Sequence, residues 1–336
     1  MEFKINIVTT LDKEIEDINK KVPYFCHLKK DFEYYDSVSI NKNMITISGS
    51  RTKNSYNMDI LETVNSTFYL SMTKALLYTY FSYGEFEINS IVVDQNNKEL
   101  IRYNKTDISQ VFSAPRLLDI NCDKLFEAKT VSDHIANALM NLTMGFNNKD
   151  LLFDYTWKCF NVLIRSIFGK KTDFEMLKAL RVDIESNSSV YTNILSFMDT
   201  CTDDYISKCR INSMICNNYP KGSTKGLIDF LKSFDDSRVI RILQEKIKCK
   251  TQDLKSINKL DEILSYYSIK LATPCKKDSD LVRFIILKYC YFLRCKYFHG
   301  EKMPSNFIIK NMNFGELERM TEPLLLICKD LIEYRV

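Results

Sequence analysis

Long uninterrupted hydrophobic runs are missing from this 336-residue chain. The longest apolar segment, Phe68 to Phe81, is broken by Ser71, Thr73, Lys74 and Thr79, so it falls short of the roughly 18 to 20 apolar residues that a bilayer span takes. The N-terminus, MEFKINIVTT, lacks the charged-then-apolar layout of a secretory leader. Histidine is scarce: His27, His134 and His299 lie in different segments and assemble neither an HExxH pair nor a cysteine–histidine grid for zinc. No metal is expected. None of the 11 cysteines forms a CxxC pair, and the expectation is reduced, mostly buried thiols in a cytoplasmic protein. Glycine-rich phosphate loops are missing too. Gly222-Ser-Thr-Lys-Gly226 is small and basic but lacks the GxxxxGK[ST] spacing, and no GxGxxG follows a strand. Nucleotide hydrolysis and a dinucleotide cofactor are thereby disfavoured, and no cofactor is expected.

A strong charge of one sign is also lacking. Lys and Arg number 47 against 43 Asp and Glu, for a net +4, so an anionic partner has to be recognised through a local patch. The charge is unevenly divided. Up to residue 125 there are 15 basic and 17 acidic side chains, and beyond it 32 and 26, which puts the two parts at −2 and +6. The densest basic stretch is Arg238, Arg241, Lys246, Lys248 and Lys250, opposed locally by Glu245. Its spacing spreads it over much of a helix surface, which reads as a solvated face.

With 45% hydrophobic residues and only eight Gly and six Pro, the composition is that of a folded chain, long enough for about two domains. Residues 1–125 alternate strand and helix signals. Lys4–Val8 and Met44–Ser48 alternate with period two; Leu11–Lys21 reads as an acidic amphipathic helix stopped near Pro23; Glu62–Ser82 reads as a long helix. Phe86–Val93 and Leu100–Tyr103 flank the turn Gln95-Asn96-Asn97. This order predicts a small α+β unit with a helix packed across an antiparallel sheet. From about residue 128 the apolar residues recur at helical spacing, and helices are predicted over 130–144, 149–168, 172–185, 188–200, 203–215, 225–233, 236–248, 254–271, 278–298 and 313–335. The predicted class is α+β, with a sheet-plus-helix domain over 1–125 and an all-α domain over 126–336. The boundary falls in 113–130, around Pro115.

One cluster carries chemistry. Tyr291-Phe-Leu-Arg-Cys-Lys-Tyr-Phe-His-Gly-Glu-Lys302 closes a strongly apolar helix just before Gly300. Arg294 and His299 are offset by roughly 140° on a straight helix, yet a long arginine and a tightened last turn allow them to converge. Such a pair suffices for RNA cleavage without a metal. An imidazole with a pKa of about 6.5 moves protons to or from the 2′-hydroxyl and the 5′-oxygen, while a permanent guanidinium charge holds the phosphate oxygens. Lys296 would add phosphate affinity and Tyr297 a stacking surface or a hydroxyl donor. The same residues also suit a purely structural role, because a histidine at a helix C-terminus complements the helix dipole.

An apolar helix ending in Arg294-x4-His299, a connector, and a closing helix from Phe314 to Val336 together resemble the HEPN superfamily, whose nucleases carry an R-x4-6-H signature and cleave RNA without metal. Within it the chain is most similar to the RNase LS type of bacterial toxin, the ribonuclease half of a toxin–antitoxin pair acting against phage. Phe298 before the histidine, the spacing from Arg294 to the chain end and the terminal Ile327-Cys-Lys-Asp-Leu-Ile332 carry that similarity. Met44–Gly49, with Arg51 and Tyr56, resembles the family's small sheet domain of TATA-binding-protein type.

The resemblance implies an HEPN-like helical domain, a homodimer whose two motifs face each other across a positive cleft, RNA as substrate, and an antitoxin or other inhibitory partner. It also implies an acidic residue on an accompanying helix, for which Asp154 is the counterpart. Many active members place Asn, Asp or His directly after the arginine, where this chain has Cys295. Residues 171–275 form a helical stretch longer than the type requires. A non-catalytic HEPN module that binds RNA or a partner protein is the alternative these departures favour.

Overall fold

The period-two stretches do form strands. In a computed structural model, which describes residues 2–13, 15, 17–24, 34–51, 66–127, 130–298 and 315–335, the strands are β1 (Glu2–Thr9), β2 (Ile18–Tyr24), β3 (Tyr34–Asn41), β4 (Met44–Ser50), β5 (Ile88–Gln95) and β6 (Lys98–Asn104). They make one antiparallel sheet in the order β2-β3-β4-β1-β5-β6. β1 is central: Ile5 lies opposite Ile47 on one side and Val93 on the other, and Ile5, Ile7, Ile47 and Val93 are fully buried. Alternate residues of the same strands face solvent, as expected of a sheet with one covered face. The Gln95-Asn96-Asn97 turn forms as expected, with φ of +49° and +63° at the two asparagines, the paired left-handed conformation that matches strand twist in a two-residue hairpin.

The acidic helix expected over Leu11–Lys21 is not there. Its second half is β2, paired antiparallel to β3 with Ile18 opposite Ile40, and Val22 is buried on the covered face. Pro23 marks an edge strand rather than a helix stop, since only at an edge can a residue without an N–H sit in a ladder. β3 was not legible as a strand. Asp36, in its middle, is fully buried and receives two hydrogen bonds from the Arg51 guanidinium, at 2.8 and 2.9 Å, and one from Ser71 at 2.8 Å.

The predicted long helix is α1 (Thr67–Tyr83), capped by the Ser66 hydroxyl, which accepts from the Tyr69 N–H, and closed by Gly84 at φ +103°; residues 62–65 of the expected helix lie outside the described residues. Every residue from Ser71 to Phe81 is buried. A helix apolar on all sides must be covered on more than the sheet face, and α2 (Thr130–Asn147) packs against it. The buried Lys74 ties the two helices together by donating to Ser132 Oγ at 2.8 Å and pairing with Asp133 at 2.6 Å.

The first compact unit therefore runs through α2 and α3 (Leu152–Phe168) to residue 167 and takes in residues 331–336, rather than ending near 125. In this unit Glu333 accepts the Asn121 N–H at 2.8 Å. Helices α1 and α2, strands β5 and β6 and the loop 107–112 also line a partly open cavity of about 590 Å³, walled by Met72, Leu76, Ile91, Phe112, Met140 and Met144 among others.

The second unit spans residues 168–330. It contains α4 (Asp173–Ser186), α5 (Thr192–Thr200), α6 (Asp203–Ser207), α7 (Ile211–Asn218), α8 (Thr224–Leu231), α9 (Ser237–Lys246), α10 (Thr251–Ser256) and α11 (Leu260–Ala272). A continuous helix follows, made of α12 (Asp278–Val282), a π-helical stretch Arg283–Cys290, and α13 (Tyr291–Phe298); α14 (Gly315–Asp330) closes the unit. Beyond residue 128 no strand occurs among the described residues. Two predicted helices are each broken in two, 203–215 around Cys209–Arg210 and 254–271 at Asn258, whose φ is +53°.

The basic stretch 238–250 is a solvated face only in part: Arg241 and Lys248 are exposed, whereas Arg238 and Lys250 are buried. Arg238 is 7% exposed and its guanidinium lies between Asp236 and Asp278, at 2.7 Å from each. Arg241 pairs with Asp203, Lys246 with Glu245 and the buried Lys250 with Asp253. Most of these carboxylates lie outside the window 238–250, which is why the local charge count saw only Glu245 opposing the stretch. At the unit's other end Asp330 caps α5, accepting the Asn193 and Ile194 N–H groups at 3.0 and 2.9 Å. No described helix is long and apolar enough to cross a membrane, and no disulfide joins the described cysteines, six of which are buried.

Candidate functional site

The helix that delivers Arg294 is buried along nearly its whole length: Leu281 to Leu287, Tyr289 and Cys290 are all inaccessible. Its π-helical stretch winds more loosely than an α-helix, so the angular phase carried from Leu281 to Arg294 differs from that of a regular helical wheel. Tyr289 fastens the stretch. Its hydroxyl accepts the Arg210 N–H at 2.6 Å and donates to Glu316, which also pairs with the Arg210 side chain.

Arg294 emerges one turn later, on α13. Its side chain is only 23% exposed, with the guanidinium 5.0 Å above the Phe298 ring, a cation–π arrangement that fixes its plane. Among the described residues the nearest carboxylate is Asp173, whose Oδ2 is 4.0 Å from Nη1; the Cys295 sulfur is also 4.0 Å from Nη1. Both contacts are at the outer limit of useful interaction. The buried Nε has no hydrogen-bond partner. A half-buried guanidinium with an orphaned donor is unusual, because leaving a buried donor unmade costs about 1–3 kcal/mol.

Asp173 is the first residue of α4, placed by a capping box in which the Thr172 hydroxyl accepts the Glu175 N–H while the Glu175 carboxylate accepts the Thr172 N–H. That Thr-x-x-Glu pattern is readable in the sequence and marks the start of the helix. Nothing in the sequence connects it with Arg294, more than a hundred residues later. Tyr291 completes the group: burial, followed by the Cys295 thiol it contacts and Asp173, pushes its hydroxyl pKa up, with Arg294 pulling the other way. Tyr291 and Asp173 are the site residues that sequence reasoning missed.

Of the sequence-predicted residues, Lys296, Tyr297 and Phe298 follow Arg294 on the same helix end. Lys296 and Tyr297 are half-buried, and Phe298 is 44% exposed. His299, the predicted acid and base, lies outside the described residues, as does Tyr56. Asp154 belongs to the first unit, on α3, where burial pushes its carboxyl pKa up against the pull of Lys158 one turn on. The carboxylate beside Arg294 within its own unit is Asp173. Among the described residues no group of three or more His, Cys, Asp or Glu side chains is placed to hold a metal ion.

Neither a family model, nor a curated protein, nor a solved structure matches this chain. The geometry around Arg294 therefore has to carry the functional argument by itself.

Proposed function

We propose that the chain is a metal-independent endoribonuclease of the HEPN type, of the toxin or antiphage-defence kind its motif resembles. The observation that supports it is the Arg294 guanidinium. It is held over Phe298 at the exposed end of a buried helix, five residues before a histidine, with Nε unpartnered and its carboxylate neighbour no closer than 4.0 Å. A guanidinium kept short of partners in a partly dry site binds a phosphate more strongly than one already spent on a salt bridge.

In this reading His299 removes the proton from the 2′-hydroxyl, the 2′-oxygen attacks the adjacent phosphorus, and Arg294 stabilises the charge that gathers on the phosphorane-like oxygens. The bond from phosphorus to the 5′-oxygen then breaks, the imidazolium of His299 returns its proton to that oxygen, and the product ends in a 2′,3′-cyclic phosphate. Lys296 and Tyr297 contact the substrate. Asp173, whose carboxylate is 4.0 Å from Nη1, is the acidic neighbour of the arginine among the described residues of its unit. Pairing of two chains, as the resemblance implies, would bring two such sites together across a two-fold axis. An antitoxin or inhibitory partner would restrain the activity, and the cytoplasm is the compartment where its RNA targets occur.

A non-catalytic module that binds RNA or a partner protein through the same arginine is the second reading, favoured by Cys295, whose sulfur occupies the place beside the guanidinium. The test is cleavage of mixed cellular RNA in EDTA by the wild type and by folded Arg294→Ala and His299→Ala. Cutting by the wild type alone, with cyclic phosphate ends, supports the nuclease. RNA binding that requires Arg294 without turnover supports the module, and strict dependence on added magnesium refutes the mechanism.

A further inference from the structure

The ribonuclease reading makes no use of two cysteines in the second unit. Cys216 lies near the end of α7, and Cys249 lies in the short 3₁₀ turn Ile247–Lys250, which packs against α7. Six of the described cysteines are buried, but these two are both solvent-exposed. Their side chains come from elements that α8 and α9 separate in sequence but that pack together, and the Cys216 thiol is near enough to act on the Cys249 thiol. Two neighbouring thiols that are both exposed are an uncommon arrangement, since exposed cysteine is the least favoured setting for a residue that packs as a small hydrophobe.

We infer that Cys216 and Cys249 form a reversible intramolecular disulfide, a redox modification site that takes a low-molecular-weight disulfide such as glutathione disulfide as its oxidant. The Cys216 thiolate attacks one sulfur of glutathione disulfide, forming a mixed disulfide and releasing the first glutathione. Cys249 then attacks the Cys216 sulfur, the bond to the second glutathione breaks, and the protein disulfide closes. The two protein thiols lose two electrons and two protons, and both are taken up by the two glutathione molecules released.

Cys249 suits the second step. Burial and the adjacent Cys216 thiol push its pKa up to about 11, against the pull of Lys250, so it is a slow nucleophile toward a free oxidant. The intramolecular step gains from proximity what it lacks in thiolate. The bridge would fasten α7 to the 247–250 turn and close a loop that includes α8 and α9, which constrains the unfolded chain and stabilises the unit.

The test uses the full-length chain, incubated with glutathione disulfide and mapped by mass spectrometry of peptides without reduction. The expected result is a peptide pair linked through Cys216 and Cys249, lost on adding dithiothreitol. Cys275, exposed elsewhere in the unit, is the internal comparison for a thiol that stops at the glutathione adduct. In Cys249→Ser, Cys216 should retain its glutathione. Oxidised wild type should melt several degrees above the reduced form, and Cys216→Ser should show no such difference. Stable glutathione adducts on both cysteines of the wild type, or a link from either of them to a different cysteine, would overturn the inference. Both sites are at the surface, so the serine variants are expected to fold, and circular dichroism checks this.

Discussion

Replacing Arg238 by methionine removes the best-connected cation in the second unit while keeping a side chain of similar length and apolar volume. The guanidinium donates to Asp236 through Nε and Nη2 at 3.1 and 2.7 Å, to Asp278 at 2.7 Å, and to the Met198 and Cys201 carbonyls at 2.7 and 3.3 Å. Asp236 is fully buried, so the substitution strands a carboxylate where water does not reach it. Breaking a buried pair in this way costs about 3–5 kcal/mol. Asp236 retains the Arg238, Val239 and Lys277 N–H groups as donors, which places the expectation near the lower end, at about 3 kcal/mol.

For a unit of roughly 160 residues, each kcal/mol moves Tm by about 2–4 °C, so the loss is about 6–12 °C. Differential scanning calorimetry reads it directly. The partner variant Asp236→Asn, combined with Arg238→Met, should recover part of the loss, because neither charge is then buried alone. The pH dependence has a definite sign. Burial alone would raise the Asp236 pKa, but the Arg238 side chain and the Lys277 and Arg238 N–H groups outweigh it and hold the carboxyl below its usual value. A depressed carboxyl contributes stability that is complete above the unfolded pKa of about 3.9 and is lost as pH falls through the folded value. The gap in Tm between wild type and Arg238→Met should therefore narrow as pH drops below about 4. A loss under about 3 °C at neutral pH, or strictly additive effects in the double variant, would refute the account of Arg238 as the unit's buried counterion.

Other changes have equally specific outcomes. Gly49→Ala places a methyl 2.0 Å from Asp36 Oδ1, so it should expel the carboxylate from its Arg51 pairing and cost about 2–4 kcal/mol in chemical denaturation; a change below about 1 kcal/mol would mean the strand yields instead. Asp330→Ala removes the cap of α5 and should cost about 1–2 kcal/mol, read as faster amide exchange at Asn193 and Ile194. Thr143→Leu extends a side chain toward the cavity beside α1 and should stabilise the first unit by about 0.5–1 kcal/mol, with loss of stability indicating that the space is already filled. Asp173→Asn should leave the fold intact and weaken RNA binding or cleavage less than Arg294→Ala, since its contact with the arginine is 4.0 Å long.

Local pattern and tertiary structure divided the outcome between them in a consistent way. Period-two alternation placed β1 and β4, the Gln95-Asn96-Asn97 turn with its flanking apolar segments placed β5 and β6, and helical spacing placed most helices of the second unit, because in each case the signal repeats within a few residues along the chain. The Asn96-Asn97 turn and the Thr172–Glu175 cap were readable for the same reason. What alternation could not do was separate the Leu11–Lys21 helix pattern from a strand: Ile18, Lys20 and Val22 suit either period until β3 pairs with them, and β3 itself hides a buried aspartate whose partners are Arg51 and Ser71.

The same limit governs the site. Arg294 stood out because an arginine, a nearby histidine and an apolar helix end are contiguous in sequence. Asp173 and Tyr291 did not, because the contact between α4 and the end of α13 depends on how the second unit packs, and the π-helical stretch before α13 shifts the phase on which a helical wheel relies. Charge behaved likewise. The run 238–250 is basic in sequence and largely neutralised in space, since Asp203 and Asp278 approach it only after folding. The residues by themselves determined most of the elements and singled out one candidate arginine; which carboxylates, rings and thiols stand beside which others was decided only by tertiary packing.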